Sequence, residues 1–322
     1  MMKTLSKRLT VARNYSDLIP AAVSERLGLD RRSKYLFEYN EQILREIESD
    51  GAVTTRSTAL AALRKLGLSD FGYVLWSMPD VRFPKLSRLL PAMASPDVQR
   101  AWTGKSGIPL LKQSVSFVQS VACNFVSIAG QPLRDASVLD FGCGYGRIAR
   151  LMYYFTDEER FFGVDPWPAS LSVCEQAGLT CNFLRSEYLP QELPVGDRRF
   201  DLIYAFSVFT HLSERATLSS LSTLRKYIHD AGILVITVRP IEYWEFASHV
   251  PASASSDLWR EHQQRGFAFR PHPREAVDGD ITYGDTSMSE QWLAARCPYW
   301  KLVSLDRSLD DRMQRYLFLI PN

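Results

Sequence analysis

Residues 138–146 read Val-Leu-Asp-Phe-Gly-Cys-Gly-Tyr-Gly, and this stretch decides the fold. Its first four residues, apolar apart from one acid, predict a short buried strand. Gly142, Gly144 and Gly146 then predict a turn with few side chains, and the residues from Arg147 onward predict a helix. Glycine permits unusual backbone angles and lets a ligand approach the main chain closely. A strand, such a turn and a helix N-terminus together predict a nucleotide pocket in an α/β sheet.

The spacing of these glycines indicates which nucleotide is bound. A dinucleotide fingerprint is G-x-G-x-x-G, followed about 20 residues later by an acid. Here the spacing is G-x-G-x-G, Arg147 stands in place of the third glycine, and Asp140 lies inside the strand. The glycine spacing therefore argues against a dehydrogenase, which stays an alternative. At these residues the chain resembles the class I S-adenosylmethionine-dependent methyltransferases, whose first motif is a hydrophobic strand, an acid and G-x-G-x-G.

The resemblance continues through three further blocks in the same order. Residues 161–165 resemble the second strand of the family, whose terminal acid holds both ribose hydroxyls. Residues 200–212 resemble the fourth strand and its loop, and residues 232–238 resemble the fifth strand. Four blocks in order are much stronger evidence than one glycine turn.

The alternation of strands and helices predicts an α/β fold. The resemblance implies a Rossmann-like, seven-stranded, mostly parallel sheet with an antiparallel terminal hairpin. The predicted strands are 137–141, 160–165, 181–185, 200–205, 232–238, 300–306 and 314–320. The predicted core helices are 147–156, 168–178 and 214–229.

Two regions lie outside this core. Residues 1–108 predict a mainly helical accessory region, and residues 109–322 predict the methyltransferase domain, entered by a helix at about 108–129. Within the accessory region, helices are predicted at 31–49 and 55–66, and the proline-rich stretch 71–96 is predicted to be an irregular connector. Residues 239–285 are too long for an ordinary connection, so we expect them to form a lid over the acceptor.

Composition narrows the function classes. The 38 lysines and arginines nearly balance 36 acidic residues, so no basic stripe indicates nucleic acid. The Asp/Asn-Pro-Pro-aromatic tetrapeptide that DNA amino-methyltransferases share is missing after the fourth strand. The five cysteines lack metal or disulfide spacing, and no membrane span or secretory signal is predicted. We expect a cytoplasmic protein.

The resemblance assigns cofactor roles to particular residues. Asp165 is expected to bind the ribose hydroxyls. Asp140 is expected either to organise the glycine turn or to meet the methionine ammonium. The other residues expected at the cofactor are Gly142, Gly144, Gly146, Pro166, Trp167, Ser186, Glu187, Phe206, Ser207, Trp102 and Gln113. For Trp102 and Gln113, packing between domains is the alternative interpretation.

The candidates for catalysis are His211, His249 and Glu242. His211 has an alternative role as an anchor of the following helix. Further residues that the insertion brings to the acceptor are Arg239, which suits an anion, and Tyr243, His262 and His272. The acids Asp278, Asp280 and Asp285 lack the spacing of metal ligands, so no metal site is predicted.

These observations favour one function. We expect methyl transfer from S-adenosylmethionine, which becomes S-adenosylhomocysteine, to a small molecule or a glycan, and oxygen as the acceptor atom. Alternatives are a nitrogen or carbon acceptor on a metabolite or protein side chain, and a non-catalytic scaffold that binds the cofactor.

Overall fold

The computed structural model describes residues 31–179 and 182–322, and side chains from Tyr39 onward. The first residue of the predicted third strand, Cys181, lies outside the described residues. The chain divides into two compact units at Val115 and Ser116. Each unit is treated separately below.

The described part of the first unit, from residue 31 onward, is mainly helical. Its helices are α1 (Arg31–Ser49), α2 (Arg56–Leu63), α3 (Leu68–Trp76), α4 (Pro84–Leu89), α5 (Pro96–Thr103) and the beginning of α6 (Gly107–Ala129). Thr55 begins α2 with a capping box shared with Thr58. The carboxylate of Glu48 in α1 accepts hydrogen bonds from the backbone amides of Lys85 and Leu86, at 2.5 and 2.9 Å, and so ties α4 to α1.

The prediction of an irregular connector at 71–96 was only partly right. Half of that stretch is helical, and Pro84 and Pro96 stand at the first turn of α4 and α5. A proline there loses no hydrogen bond, and its fixed φ suits a helix start.

The second unit contains the predicted sheet, with the strand order β3-β2-β1-β4-β5-β9-β8. Its strands are β1 (Val138–Phe141), β2 (Phe161–Asp165), β3 (Phe183–Arg185), β4 (Phe200–Ala205), β5 (Ile228–Val238), β8 (Trp300–Arg307) and β9 (Arg315–Pro321). The first five strands are parallel, and β9 runs antiparallel to both β5 and β8. The predicted fold class is confirmed.

Helices cover both faces of this sheet. They are α7 (Arg147–Met152), α8 (Pro168–Gln176), α9 (Glu214–Lys226) and the second half of α6. β1 and β2 are buried at every residue, as expected of parallel strands covered on both sides. Phe117 of α6 packs edge-on against Tyr204, Phe206 and Tyr316, with ring centroids 5.9, 4.6 and 5.1 Å away.

A polar stripe fixes α6 along the terminal hairpin. Residues four apart on the helix hydrogen-bond to alternate residues at the end of β8 and just beyond it. The pairs are Ser116 with Ser308, Ser120 with Asp306, and Asn124 with Ser304. The helix and strand periodicities match along this stripe, so the register of α6 on the hairpin is specified.

The insertion after β5 is a folded subdomain. It contains α10 (Tyr243–Phe246), α11 (Ala252–Arg265) and a two-stranded antiparallel sheet of β6 (Phe267–Pro271) and β7 (Gly284–Met288); α12 (Glu290–Arg296) follows β7. Trp244 is 1% exposed in a small core with Val250, Leu258 and Ala268. Its indole donates a hydrogen bond of 2.7 Å to Ser287.

Backbone hydrogen bonds hold β7 to the core. Gly284 and Thr286 donate to the carbonyls of His211 and Thr210, at 2.8 and 3.0 Å, and Met288 donates to Arg239 at 3.1 Å. These hydrogen bonds join β7 of the insertion to the loop after β4, and the role of the insertion as a lid stays a prediction. Among the described residues, no helix has the length and apolarity needed to cross a membrane.

Candidate active site

The glycine turn lies at the carboxyl end of β1, beside the end of β2. The amides of Gly142 and Cys143 both donate to the carbonyl of Val164, at 2.8 and 3.1 Å. Gly142 has a φ of +78°, and a Cβ there would lie 2.4 Å from a methyl group of Val208. Both the backbone angle and the space therefore require glycine at this position.

Gly144 is the open position of the turn. Its φ is +54°, and a Cβ built on it meets no described atom within 4 Å. Its amide donates to Asp165 Oδ2 at 2.9 Å. The turn is thus shaped by its neighbours at Gly142 but leaves room for a ligand at Gly144.

Asp165 ends β2 and is fixed at both oxygens. Oδ1 accepts from the amide of Trp167 at 2.9 Å, while Oδ2 accepts from Gly144. Burial raises the pKa of this carboxyl, and the hydrogen bonds from Trp167, Gly144 and Ser170 oppose that rise. The carboxylate is held rigidly at the strand end where the sequence placed the ribose site.

Four residues that were predicted to contact the cofactor lie near Asp165, either next to it in the chain or just after β3, the strand paired with β2. The amide of Ser186 donates to the carbonyl of Asp165 at 3.2 Å, and the Ser186 hydroxyl is buried without a hydrogen-bond partner among the described residues. Trp167 is 40% exposed, and Pro166 precedes it at the start of the same turn. Glu187 is exposed.

Asp140 is buried between the turn and β4. Its Oδ2 accepts a hydrogen bond of 2.9 Å from the Tyr204 hydroxyl. Burial raises its pKa to about 8, although the hydrogen bond from Tyr204 and the charge of Arg147 act in the opposite direction. Its two predicted roles, organising the glycine turn and meeting the methionine ammonium, both stay predictions.

The loop after β4 carries two predicted main-chain contacts. Phe206 lies under the guanidinium of Arg147, whose Cζ is 4.9 Å from the ring centroid. Ser207 has a φ of +60°, and its amide donates to the Thr237 hydroxyl at 2.7 Å. Trp102 and Gln113 belong to the other compact unit, so their role stays a prediction.

A second set of polar side chains meets at Asp285, near the start of β7. This carboxylate is 3% exposed. Its Oδ1 accepts from Arg239 at 2.7 Å and from the Tyr243 hydroxyl at 2.9 Å. Its Oδ2 accepts from Nε2 of His249 at 2.8 Å and of His272 at 3.0 Å. We call these five residues the Asp285 cluster.

The partners of Asp285 control its ionisation. Burial acts to raise its pKa, but hydrogen bonds from His249 and His272 and the charge of Arg239 outweigh burial, and the pKa is well below its ordinary value. Burial and the Asp285 charge raise the pKa of Tyr243, so this phenol stays protonated. The carboxylate is ionised near neutral pH.

His211 lies beside the cluster with both ring nitrogens occupied. Nδ1 donates to the carbonyl of Gly284 at 2.7 Å, which leaves Nε2 to accept from Arg239 at 3.3 Å. Burial and the charge of Arg239 lower its pKa to about 3. The ring stacks on Tyr283, with centroids 4.9 Å apart. This environment suits an anchor better than a proton acceptor.

Other predicted residues lie outside the Asp285 cluster. Oε2 of Glu242 is 3.7 Å from Nη2 of Arg315. His262 is buried and its Nδ1 is 2.7 Å from the Ser287 hydroxyl, while Asp280 accepts from Ser213. Asp278 is exposed, and its Oδ2 is 3.8 Å from Nη2 of Arg215. All five members of the Asp285 cluster were therefore among the candidates from the sequence. No pattern in the sequence showed that these five would lie together.

The two sets of side chains share one edge of the sheet. The glycine turn and Asp165 follow β1 and β2, whereas His211 and Arg239 follow β4 and β5, and the carboxyl ends of parallel strands meet at one edge. Burial raises the pKa of Tyr283, and the charges of Asp285 and Asp165 contribute to that rise. Tyr283 thus lies within electrostatic reach of both sets.

Comparison with known protein families shows which family the cofactor motifs resemble. Residues 138–232 match the family described as a methyltransferase domain. This segment is a methyltransferase domain. It contains the glycine turn, Asp165 and β4, so the sequence resemblance is confirmed for the part of the chain that carries the cofactor motifs.

The methyltransferase domain also has named relatives. The chain is 28% identical over 182 residues to a tRNA U34 carboxymethyltransferase of Tolumonas auensis, and the match covers 50% of this chain and 52% of the relative. The chain thus spans about half the length of that relative.

Solved structures with a similar fold are more distant in sequence. A glycopeptide N-methyltransferase complexed with sinefungin is 10% identical, over 63% of this chain and 93% of that one, with a TM-score of 0.44. A magnesium protoporphyrin IX methyltransferase of Synechocystis PCC 6803 with bound S-adenosylhomocysteine is 15% identical, over 70% and 94%, with a TM-score of 0.46.

Proposed function

We propose that this chain transfers the methyl group of S-adenosylmethionine to a hydroxyl oxygen of a small molecule or sugar. The observation that carries the proposal is the pair of sites at one sheet edge. One is the rigid carboxylate of Asp165 beside the open Gly144, and the other is the polar, partly exposed Asp285 cluster.

The residues present fit the cofactor. Gly144 leaves the space that the amino-acid end of the cofactor needs, and the two carboxyl oxygens of Asp165 are acceptors for two vicinal hydroxyls. The buried Ser186 hydroxyl without a partner suits a polar edge of adenine. A buried hydroxyl without a hydrogen bond is costly, so a ligand there recovers free energy.

The chemistry requires little of the protein besides alignment. When bound, S-adenosylmethionine supplies a methyl group whose carbon–sulfur bond breaks as the carbon–oxygen bond forms, with the electron pair passing to sulfur. Alignment of two reactants contributes up to about 7–11 kcal/mol to such a reaction. Asp165 and Gly144 position the donor, and the Asp285 cluster positions the acceptor oxygen.

Several features support a hydroxylated acceptor. His249 is 54% exposed and His272 35%, so both imidazoles are accessible at the cluster. Imidazole and phenol groups are hydrogen-bonding partners suited to hydroxyls. The near balance of charge in the whole chain supports a small molecule over a nucleic acid.

The test measures product formation with a panel of acceptors. The chain is incubated with S-adenosylmethionine and, separately, with catechol, dihydroxybenzoate, methyl rhamnoside, a primary amine and bulk tRNA, and S-adenosylhomocysteine is quantified. We expect turnover with at least one hydroxylated small molecule. Turnover with tRNA or the amine alone contradicts the acceptor class, and binding without any turnover favours a cofactor-binding scaffold.

Gly144→Ala tests the cradle directly. The methyl group would enter the space where the ligand approaches, so we expect cofactor affinity to fall at least tenfold by calorimetry. Its positive φ adds about 1 kcal/mol of strain to the fold. Gly130→Ala is the matched control, because Gly130 has a φ of +67° and equally open surroundings. Equal losses of affinity in the two variants would contradict the assignment.

Asp140 predicts a pH dependence of cofactor binding. Its pKa of about 8 means that the carboxyl is protonated at pH 6, whereas contact with an ammonium requires the charged form. Binding below pH 8 therefore releases a proton, and we expect affinity to rise between pH 6 and pH 8. Calorimetry in buffers of different ionisation enthalpy measures the proton. Asp140→Asn should bind more weakly and lose the pH dependence; an unchanged dependence contradicts the role.

A further inference from the structure

We infer that His249, His272 and Asp285 bind one divalent transition-metal ion, and that its free coordination positions receive the acceptor oxygen. The metal assignment depends on the geometry of the Asp285 cluster alone. Its role in catalysis depends on the proposed function.

The three candidate ligands are already at the required separations. Their ligand atoms all lie within 4.8 Å of one another, and Asp285 Oδ2 is 2.8 and 3.0 Å from Nε2 of His249 and His272. Two neighbouring ligands of an octahedral ion, each about 2.1 Å from the metal, are about 3.0 Å apart. A small movement of the imidazoles around the carboxylate oxygen therefore admits the ion.

Hydrogen bonds fix the carboxylate of Asp285 in the way that they usually fix a metal-binding carboxylate. Arg239 and Tyr243 bond to Oδ1 and leave Oδ2 to the two histidines. Metal-ligating carboxylates are usually fixed by such hydrogen bonds to their other oxygen. The two imidazoles bind the ion as neutral rings, by moving the proton from Nε2 to Nδ1.

The exposure of the two histidines leaves the candidate metal site open to solvent. Asp285 is 3% exposed, but His249 and His272 are 54% and 35% exposed, so the side opposite the carboxylate faces solvent. An ion with three protein ligands and free positions is typical of catalytic metal sites. Two imidazoles and one carboxylate favour ions such as Mn²⁺, Fe²⁺, Co²⁺ or Zn²⁺ over Mg²⁺ or Ca²⁺.

The charges around the site favour an anionic acceptor. Arg239 bonds to Asp285, and Arg270 lies within hydrogen-bond distance of the His249 carbonyl, at 3.3 Å. With one carboxylate, a dication and these arginines, the surroundings are positive. Such surroundings lower the pKa of a bound hydroxyl, which releases its proton to solvent before the oxygen attacks the methyl group.

The experiment titrates Co²⁺ into the tag-free chain of 322 residues after treatment with EDTA. We expect one ion per chain by calorimetry and visible absorption bands of bound Co²⁺. His249→Ala and His272→Ala should each weaken Co²⁺ binding at least tenfold. The matched control is His229→Ala, because His229 is exposed and lies outside the cluster; its affinity for Co²⁺ should be unchanged.

Two outcomes overturn the metal site. One is the absence of stoichiometric Co²⁺ binding, and the other is equal affinity in all three variants, with folding verified by thermal unfolding. Binding of S-adenosylmethionine is measured in parallel, with and without Co²⁺. Failure of the cofactor to bind contradicts the proposed function and leaves the metal site standing, whereas turnover that persists in EDTA contradicts only the role of the ion.

Discussion

Asp165→Ala is expected to weaken binding of S-adenosylmethionine and S-adenosylhomocysteine about a hundredfold. A hydrogen bond to a charged group contributes about 1.5–3 kcal/mol, and the proposed ribose contact has two of them. The substitution also removes the acceptor for the amides of Gly144 and Trp167, so the turn loses its tie to β2. Calorimetry with both ligands measures the effect.

Asp201→Asn is the matched control for Asp165. Asp201 is also a strand carboxylate, and its Oδ2 accepts from the amide and hydroxyl of Ser137, at 2.8 and 2.7 Å. It lies at the start of β4, at the amino edge of the sheet. We expect Asp201→Asn to lower the stability of the fold, while its affinity for both ligands stays within about twofold of that of the unaltered chain. Equal affinity of Asp165→Ala and the unaltered chain would refute the ribose assignment.

Asp285→Asn is expected to reduce methyl transfer at least a hundredfold while affinity for S-adenosylmethionine stays within about twofold. The cluster loses the charge that Arg239 pairs with and that both histidines bond to. The measurement is the rate of S-adenosylhomocysteine formation with the acceptor found in the panel. Asp278→Asn is the control, since Asp278 is an exposed acid of the same insertion.

Asp285→Asn is also expected to lower the free energy of unfolding, by an amount that depends on pH. Removing one partner of a buried ion pair costs about 3–5 kcal/mol. The folded-state pKa of Asp285 is depressed, so its contribution is present above the ordinary carboxyl pKa of about 4 and is lost as the pH falls through the folded value. Urea unfolding should show a large difference between Asp285→Asn and the unaltered chain at pH 7, and a smaller one in acid. A pH-independent difference would contradict this reasoning.

The cofactor half of the site could be predicted because its motifs are local. The acid, the glycines and the following helix lie within a few residues of one another, and β2 brings Asp165 alongside through ordinary parallel pairing. Even here, only the structure showed that Asp140 accepts a hydrogen bond from Tyr204. The turn amides bond to Val164 and Asp165, and no periodicity in the sequence indicates that.

The residues at and beside the Asp285 cluster could not be grouped from the sequence. His211, Arg239, His249, His272 and Asp285 are spread over 75 positions. They meet because β7 pairs with β6 and bonds to the loop after β4. The β7 sequence Gly-Asp-Thr-Ser-Met has neither the alternation nor the β-branched content that predicts a strand.

The sequence by itself determined the positions of the parallel strands, the glycine turn and the place of Asp165 at a strand end, because those features depend on short-range patterns. The tertiary structure alone decided that both ring nitrogens of His211 have hydrogen-bond partners, and that Asp285 accepts hydrogen bonds from two histidines, an arginine and a tyrosine. The physical reason is that the environment of a titratable group depends on its neighbours in space. At Asp285 those neighbours come from segments far apart in the chain.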